Sequence, residues 1–241
     1  MQDPFLRTRM LLGEEAMVRL SRAHVAIFGL GGVGSYAAEA LARSGVGEIT
    51  LIDEDSVAVS NINRQIEALH STVGMAKADA VAARCRDINP DIIVHPLCAR
   101  YEAASREQFF TAHYDYIIDA IDLVACKLDL IQTALGANIP IISALGTGNK
   151  LDPSRLRICD ISETYGCPLA RVMRRELRRR GIERLRVIFS DEQAAPTAQL
   201  EAPPPGRRSV PASNAWVPPC AGLMLGGAVV MALAEGRKDI C

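Results

Sequence analysis

No two of the seven cysteines stand as C-x-x-C; they fall at positions 85, 98, 126, 159, 167, 220 and 241. That spacing argues against a structural zinc site and against a thioredoxin-like motif. An odd, irregular set of thiols fits a reducing compartment. Charge of one sign is lacking too. The net charge is −1, so any contact with nucleic acid has to come from a local patch and not from the field of the whole molecule. Residues 1–22 interleave Arg7, Arg9, Glu14, Glu15 and Arg19 with apolar residues, which is not the pattern of a signal peptide. The longest apolar run, Ala221 to Ala234, has about 14 residues against the 18–20 of a membrane span. It predicts a buried helix, no stable membrane span and a cytoplasmic protein. There is no internal repeat, and His24, His70, His95 and His113 show no ligand spacing along the chain.

What is there is a chain of 241 residues, 49% hydrophobic and 23% charged, ordinary for a globular fold. Folding at this length buries roughly 70–75% of the unfolded surface. Apolar residues at helical spacing predict a short helix over 9–20. The run His24 to Phe28 predicts a strand, Gly29 to Gly34 a turn, Ser35 to Ser44 a helix and Glu48 to Asp53 a second strand. Helix is predicted over 73–87, strand over 92–96, helix over 103–112, strand over 116–119, helix over 127–137 and strand over 140–143. Such alternation, with continuous apolar runs, predicts an α/β fold: a Rossmann-like, mostly parallel sheet with helices on both faces. Residues 1–150 read as a nucleotide-binding core and 151–241 as a C-terminal extension for substrate or dimer contacts. In the extension, 155–161 reads as a strand, Pro168 to Arg180 as a helix and 191–215, with Pro203-Pro204-Pro205, as a mobile loop or crossover.

The chemistry concentrates at the ends of the predicted strands. Gly29-Leu30-Gly31-Gly32-Val33-Gly34 follows a strand and opens a helix, so backbone N–H groups and the helix dipole can meet a phosphate. Asp53 ends the second strand, where an acid accepts hydrogen bonds from ribose hydroxyls. To that point NAD and ATP fit equally, and an NAD-dependent oxidoreductase stays open. Ser60-Asn61-Ile62-Asn63-Arg64-Gln65 and Gly74-Met75-Ala76-Lys77 favour a triphosphate: Arg64 can clamp phosphate oxygens and Lys77 adds a point charge. Asp119-Ala120-Ile121-Asp122 closes the fourth strand. A carboxylate with phosphate oxygens holds magnesium, which points to Asp122, while Asp119 is placed between a ligand role and a helix cap.

This set of motifs resembles the ubiquitin-activating superfamily of adenylating enzymes, which includes the molybdopterin- and thiamine-biosynthesis adenylyltransferases. The resemblance implies ATP and magnesium as cofactors. It puts Gly29, Gly31, Gly32, Gly34 and Asp119 at the nucleotide, Asp53 at ribose, Asn61, Asn63, Arg64 and Lys77 at phosphates, and Asp122 at the magnesium. It also implies a homodimer in which Arg9 reaches the partner's ATP. Thr8-Arg9-x-x-x-Gly13, the segment Ser35 to Gly45, Ile88-Asn89-Pro90 and Pro168-Leu169-Ala170 look like the tRNA threonylcarbamoyladenosine dehydratases within it. Those enzymes adenylate the threonyl carboxylate of a modified tRNA adenosine, which then cyclises with loss of water, and related ones work alongside cysteine-desulfurase systems. Adenylation of a sulfur-carrier protein is the alternative on the same fold; the missing cysteine pairs argue against it. A non-catalytic nucleotide-gated module is a further one. Cys220 matches the neighbourhood of a cysteine considered catalytic in some members, against the reading of an inert buried thiol. Arg171, Arg174, Arg175, Arg178 and Arg179 form a basic stripe suited to tRNA phosphates or to plain solvation, and Trp216 is assigned to the core with base stacking as the alternative.

Overall fold

The computed structural model describes residues 3–200 and 210–236. A seven-stranded sheet runs in the order β3-β2-β1-β4-β5-β7-β6. Its strands are β1 (His24–Phe28), β2 (Glu48–Ile52), β3 (Ile93–Leu97), β4 (Tyr116–Asp119), β5 (Ile141–Ala144), β6 (Leu156–Asp160) and β7 (Arg186–Ser190). All pairings are parallel except that of β6 with β7. The central strands β1, β4 and β5 are buried along their whole length, as parallel strands covered on both faces must be.

The helices are α1 (Leu6–Leu12), α2 (Glu14–Arg22), α3 (Gly34–Arg43), α4 (Lys77–Ile88), α5 (Val124–Gly136), α6 (Pro168–Arg178) and α7 (Val217–Ala234). One core layer joins α2, α3, α4 and α7 to the sheet through Leu20, Leu41, Val81, Leu225 and Val229. The opposite layer joins α5 and α6 through Leu130, Ile131, Met173 and Leu177, with an aromatic group of Phe28, Tyr101 and Phe109. Alanines at 37, 38 and 42 make α3 a good helix former and a thin one. Glu39 of α3 accepts from Arg84 Nε of α4 at 2.6 Å and from Arg43 Nε at 2.6 Å.

The elements depart from expectation in several places. The helix expected over 9–20 is two, because Gly13 takes φ +84° between α1 and α2. The helix expected from residue 73 begins at Lys77, since Gly74 at φ +90° holds the chain in turns. Residues 103–109 form a 3-10 helix, not an α-helix. β7 was not expected at all; its apolar core is the three residues Val187, Ile188 and Phe189 between Arg186 and Ser190. Within 191–215, residues 201–209 lie outside the described residues. The others form no helix or strand before residue 215 and are hydrogen-bonded to 149–151: Ala195 N to Asn149 O (2.8 Å), Asn149 N to Ala212 O (2.8 Å) and Asn214 Nδ2 to Lys150 O (2.6 Å). α7 starts at Val217, before the run read from sequence. Its 18 residues suffice for a membrane span by length and composition alone, yet 61% of it is buried within the protein, the position of a core helix.

Candidate functional site

From β1 the chain leads outward to β2 and β3 on one side, and β4 and β5 lie on the other. The strand order therefore reverses between β1 and β4, where open α/β sheets place ligands at the carboxyl ends. A cavity of about 860 Å³ opens there, within the range of small-molecule sites.

Its floor is the turn between β1 and α3. Gly29 N donates to Ile52 O and Ala120 N donates to Phe28 O, each at 2.8 Å, so the turn after β1 is tied to the end of β2 and the turn after β4 to the end of β1. Gly29 has φ +89°, and a Cβ there would lie 2.7 Å from Ala120 O. A Cβ on Gly34 would lie 1.8 Å from Gly29 O, so only hydrogen fits. Gly29, Gly31 and Gly32 line the cavity; Gly34 does not and instead closes the turn and begins α3.

Asp53 follows β2 and lines the same space. Its Oδ2 accepts from Leu30 N at 2.6 Å and its Oδ1 from Asp55 N at 2.9 Å. Burial pushes its carboxyl above the ordinary aspartate value, opposed by the Lys77 ammonium. Lys77, the first residue of α4, is buried, with Nζ 2.7 Å from Asp55 Oδ2 and 4.0 Å from Asp53 Oδ1. Asn61 and Arg64 line the opposite rim. Asn61 Oδ1 accepts from Ala58 N at 3.0 Å, which fixes the short 3-10 turn over 59–61. Arg64 NH1 donates to Ser60 O and to Asn63 Oδ1, both at 2.9 Å, and partial burial holds its guanidinium below the ordinary arginine value. Asp122, exposed just past β4, lines the cavity as well.

Besides Gly34, several sequence-derived candidates lie outside the cavity lining. Asp119 is fully buried: Lys127 Nζ donates to its Oδ2 at 2.7 Å and Ser143 Oγ at 2.6 Å, while Ile121 N reaches Oδ1 at 3.1 Å. It caps no helix, since α5 is entered at Leu123, and instead closes a charge cluster inside the sheet. Burial lowers the Lys127 ammonium, and Asp119 opposes that shift. Asn63 points to Ser213 O at 3.1 Å and supports Arg64. Arg9, on α1, pairs with Asp3 (2.9 Å) and Glu14 (2.5 Å). Cys220 is half-buried on α7 and packs against the first core layer. Trp216, assigned to the core, is 48% exposed, and its Nε1 donates to Leu151 O at 2.7 Å.

The structure adds residues that sequence reasoning missed. Gln65 lines the floor beside Gly31. Gly146-Thr147-Gly148-Asn149-Lys150 forms a second wall after β5, with Lys150 buried and donating to Glu192 O. A glycine-rich turn after a buried strand was the available signal. Glu67 had none: it is 3% exposed and lies among Ser35, Asp53 and Lys77. Neither of its oxygens has a hydrogen-bond partner among the described residues, since Ser35 Oγ donates to Gly31 O at 2.7 Å. Burial pushes its carboxyl up to about 7.

A cavity at the switch point, floored by glycines and rimmed by Arg64, Lys77 and carboxylates, has the charge pattern of a nucleotide site. Comparison with known proteins agrees. The ThiF family model matches residues 5–232. The tRNA threonylcarbamoyladenosine dehydratase of Bacillus subtilis (strain 168) is 46% identical over 249 residues, covering 100% of this chain and 97% of that one. Solved structures of the E. coli tRNA N6-threonylcarbamoyladenosine dehydratase superpose throughout: the complex with AMP with TM-score 0.86 at 34% identity over 96% of this chain and 94% of that one, and the complex with ATP with TM-score 0.83 at 35% over 97% and 96%. Sequence, sheet order and cavity thus agree that this chain belongs to the ThiF family, in the branch of the tRNA threonylcarbamoyladenosine dehydratases.

Proposed function

We propose that this protein uses ATP to adenylate the threonyl carboxylate of threonylcarbamoyladenosine in tRNA, after which the modified residue cyclises with net loss of water. The observation that carries this reading is the joint lining of one cavity by Gly31, Gly32, Asp53, Asn61, Arg64, Lys77 and Asp122, in a chain so similar to a dehydratase along its whole length. A carboxylate is a poor electrophile because oxide would have to leave. Its oxygen attacks the α-phosphorus of ATP and pyrophosphate departs. The mixed anhydride so formed loses AMP when a group of the same modified residue closes the ring, and that proximity removes much of the entropic barrier. Arg64 and Lys77 neutralise charge on the phosphates as the bond breaks, and Asp53 holds the ribose.

Magnesium fits the donors present. Asp122 offers a carboxylate on the cavity wall, and a hard cation takes such an oxygen together with phosphate oxygens. When bound, it shields phosphate charge; Asp122 is the residue that would hold it. The arginines of α6 and Arg179 just past its end, of which Arg175 and Arg179 share Glu176 at 3.0 and 3.1 Å, supply a local basic face for the tRNA backbone. A homodimer, with Arg9 of one protomer serving the other's nucleotide, belongs to the same reading. Nothing in the cavity favours NAD, and the sulfur-carrier alternative still lacks its cysteine pairs.

The test is direct. The protein is incubated with ATP, magnesium and tRNA bearing threonylcarbamoyladenosine, and the digested nucleosides are weighed. Loss of one water from that nucleoside, with AMP and pyrophosphate formed in step, is the expected outcome. An unchanged nucleoside in the presence of bound ATP would exclude the reading.

A further inference from the structure

His24, Glu48 and His95 are far apart along the chain, but the first three strands bring them together at the end of the sheet opposite the nucleotide cavity. His24 begins β1 and pairs with Glu48, which begins β2; His95 of β3 pairs with Thr50. Side chains two apart on a strand share a face, so His24, Glu48, Thr50 and His95 all lie on one. Their ligand atoms converge: one from each of His24, Glu48 and His95 all lie within 4.8 Å of one another.

We propose that His24, Glu48 and His95 form a binding site for a divalent first-row transition cation of the zinc type. Two imidazoles and one carboxylate are a borderline-soft N/O donor set of the kind zinc takes. At a Zn–N distance of about 2.0–2.1 Å, tetrahedral neighbours lie about 3.3 Å apart. His24 Nδ1 is 3.4 Å from Glu48 Oε1, long for a direct hydrogen bond and close to that tetrahedral edge. His95 Nε2 is 2.7 Å from the same oxygen, so ligation opens this contact by about 0.6 Å. His95 and Glu48 are partly exposed, 47% and 34%, and can make that adjustment.

The rest of the arrangement is that of a supported ligand. His24 Nε2 lies 2.8 Å from Thr50 Oγ1. A ring proton held on Nε2 leaves the Nδ1 lone pair facing Glu48, the device that orients metal-binding histidines. Tyr114 packs edge-on against the His24 ring at 4.9 Å, and His24 N donates to Asp115 Oδ2 at 2.9 Å. Burial favours the neutral imidazole, the form that ligates. Such an ion would pin the edge strand β3 to β1 and β2. The site is four residues of strand, about 13 Å, from the glycine turn, so the proposal does not rest on the reaction above.

Full-length protein stripped with chelator and titrated with cobalt(II), then zinc, tests it. Expected are one equivalent of cobalt with visible d–d bands and no thiolate-to-cobalt charge transfer, displacement by zinc, and a raised thermal midpoint with zinc. His95→Ala and Glu48→Gln should each abolish the bands, and Thr50→Val should weaken binding about 10–100-fold. Charge-transfer absorption that vanishes in Cys98→Ser would overturn the proposal. So would bands unchanged in His95→Ala, or no metal retained by the folded parent protein.

Discussion

Lys77 and Lys127 are both buried and both meet a carboxylate, but only Lys77 lines the cavity. Replacing Lys77 by Ala should cut ATP-dependent pyrophosphate release about 10²–10³-fold, the usual loss for one donor to a developing charge, with the urea midpoint little moved. Lys127→Ala should do the reverse. It leaves Asp119 as an unpaired charge inside the sheet, a loss of about 3–5 kcal/mol readable in urea unfolding. Glu67 belongs to neither class. Its folded carboxyl titrates at about 7, above its ordinary 4.5, so between these values the folded state holds a proton the unfolded state has released. Stability therefore falls as pH rises through that window, by at most about 3 kcal/mol. Glu67→Gln should flatten this slope, gaining about 1–3 kcal/mol near pH 8 and little at the acid end of the window; parallel unfolding curves that keep the parent's pH slope would refute the assignment.

Among the helices of the described residues, α3 and α7 share the most extensive contact. A Cβ on Gly222 of α7 would sit 2.2 Å from Val33 O and 2.8 Å from Tyr36 Cβ, at the entrance to α3. Gly222→Val should displace the helix end that presents the glycine turn, weakening ATP binding more than about tenfold and lowering the thermal midpoint; the strain falls in the range of about 1–3 kcal/mol for an overpacked core. A van't Hoff melt and an ATP titration on the same sample check both halves. How far the elements could be read in advance follows from their physics. β1 and β4 are mainly apolar runs that end before Gly29 and on Asp119, and the order of β1, β2, β4 and β5 along the chain, with helices between, already implied a parallel sheet. β7 was invisible because three apolar residues between arginines and a serine carry no period, and its burial comes from lying between β5 and β6. Arg64, Lys77 and Asp122 could be found because their motifs are local. Asp119 misled, since the partner that takes it out of the site is Lys127 on α5 together with Ser143 on β5. The His24–Glu48–His95 cluster was hidden for the same reason: register, not spacing, creates it.

For the molecule as a whole, α7 raises the question of what covers it. A helix apolar on every side is ordinarily buried on every side, yet Leu223 is 47% and Met231 44% exposed on this one, eight residues apart and so on one face. This supports the proposed homodimer. Leu223→Glu combined with Met231→Glu should leave a folded monomer in light scattering and, with Arg9 no longer near a second nucleotide, a slower reaction. A variant that remains dimeric would place the interface elsewhere.

The insertion of β7 between β5 and β6 has a further consequence for how the chain is made. β6 emerges from the ribosome first, but the neighbour it pairs with is not yet present, and β5 waits with it. Until residue 190 arrives, Ile142, Ser143 and Ala144 stand on an open strand edge, the kind of template on which another unfinished chain can dock. Synthesis of this protein thus passes through an adhesive interval that ends only when its penultimate helix has been followed by a late strand, and folding helpers that shield bare strand edges would act on it in that interval.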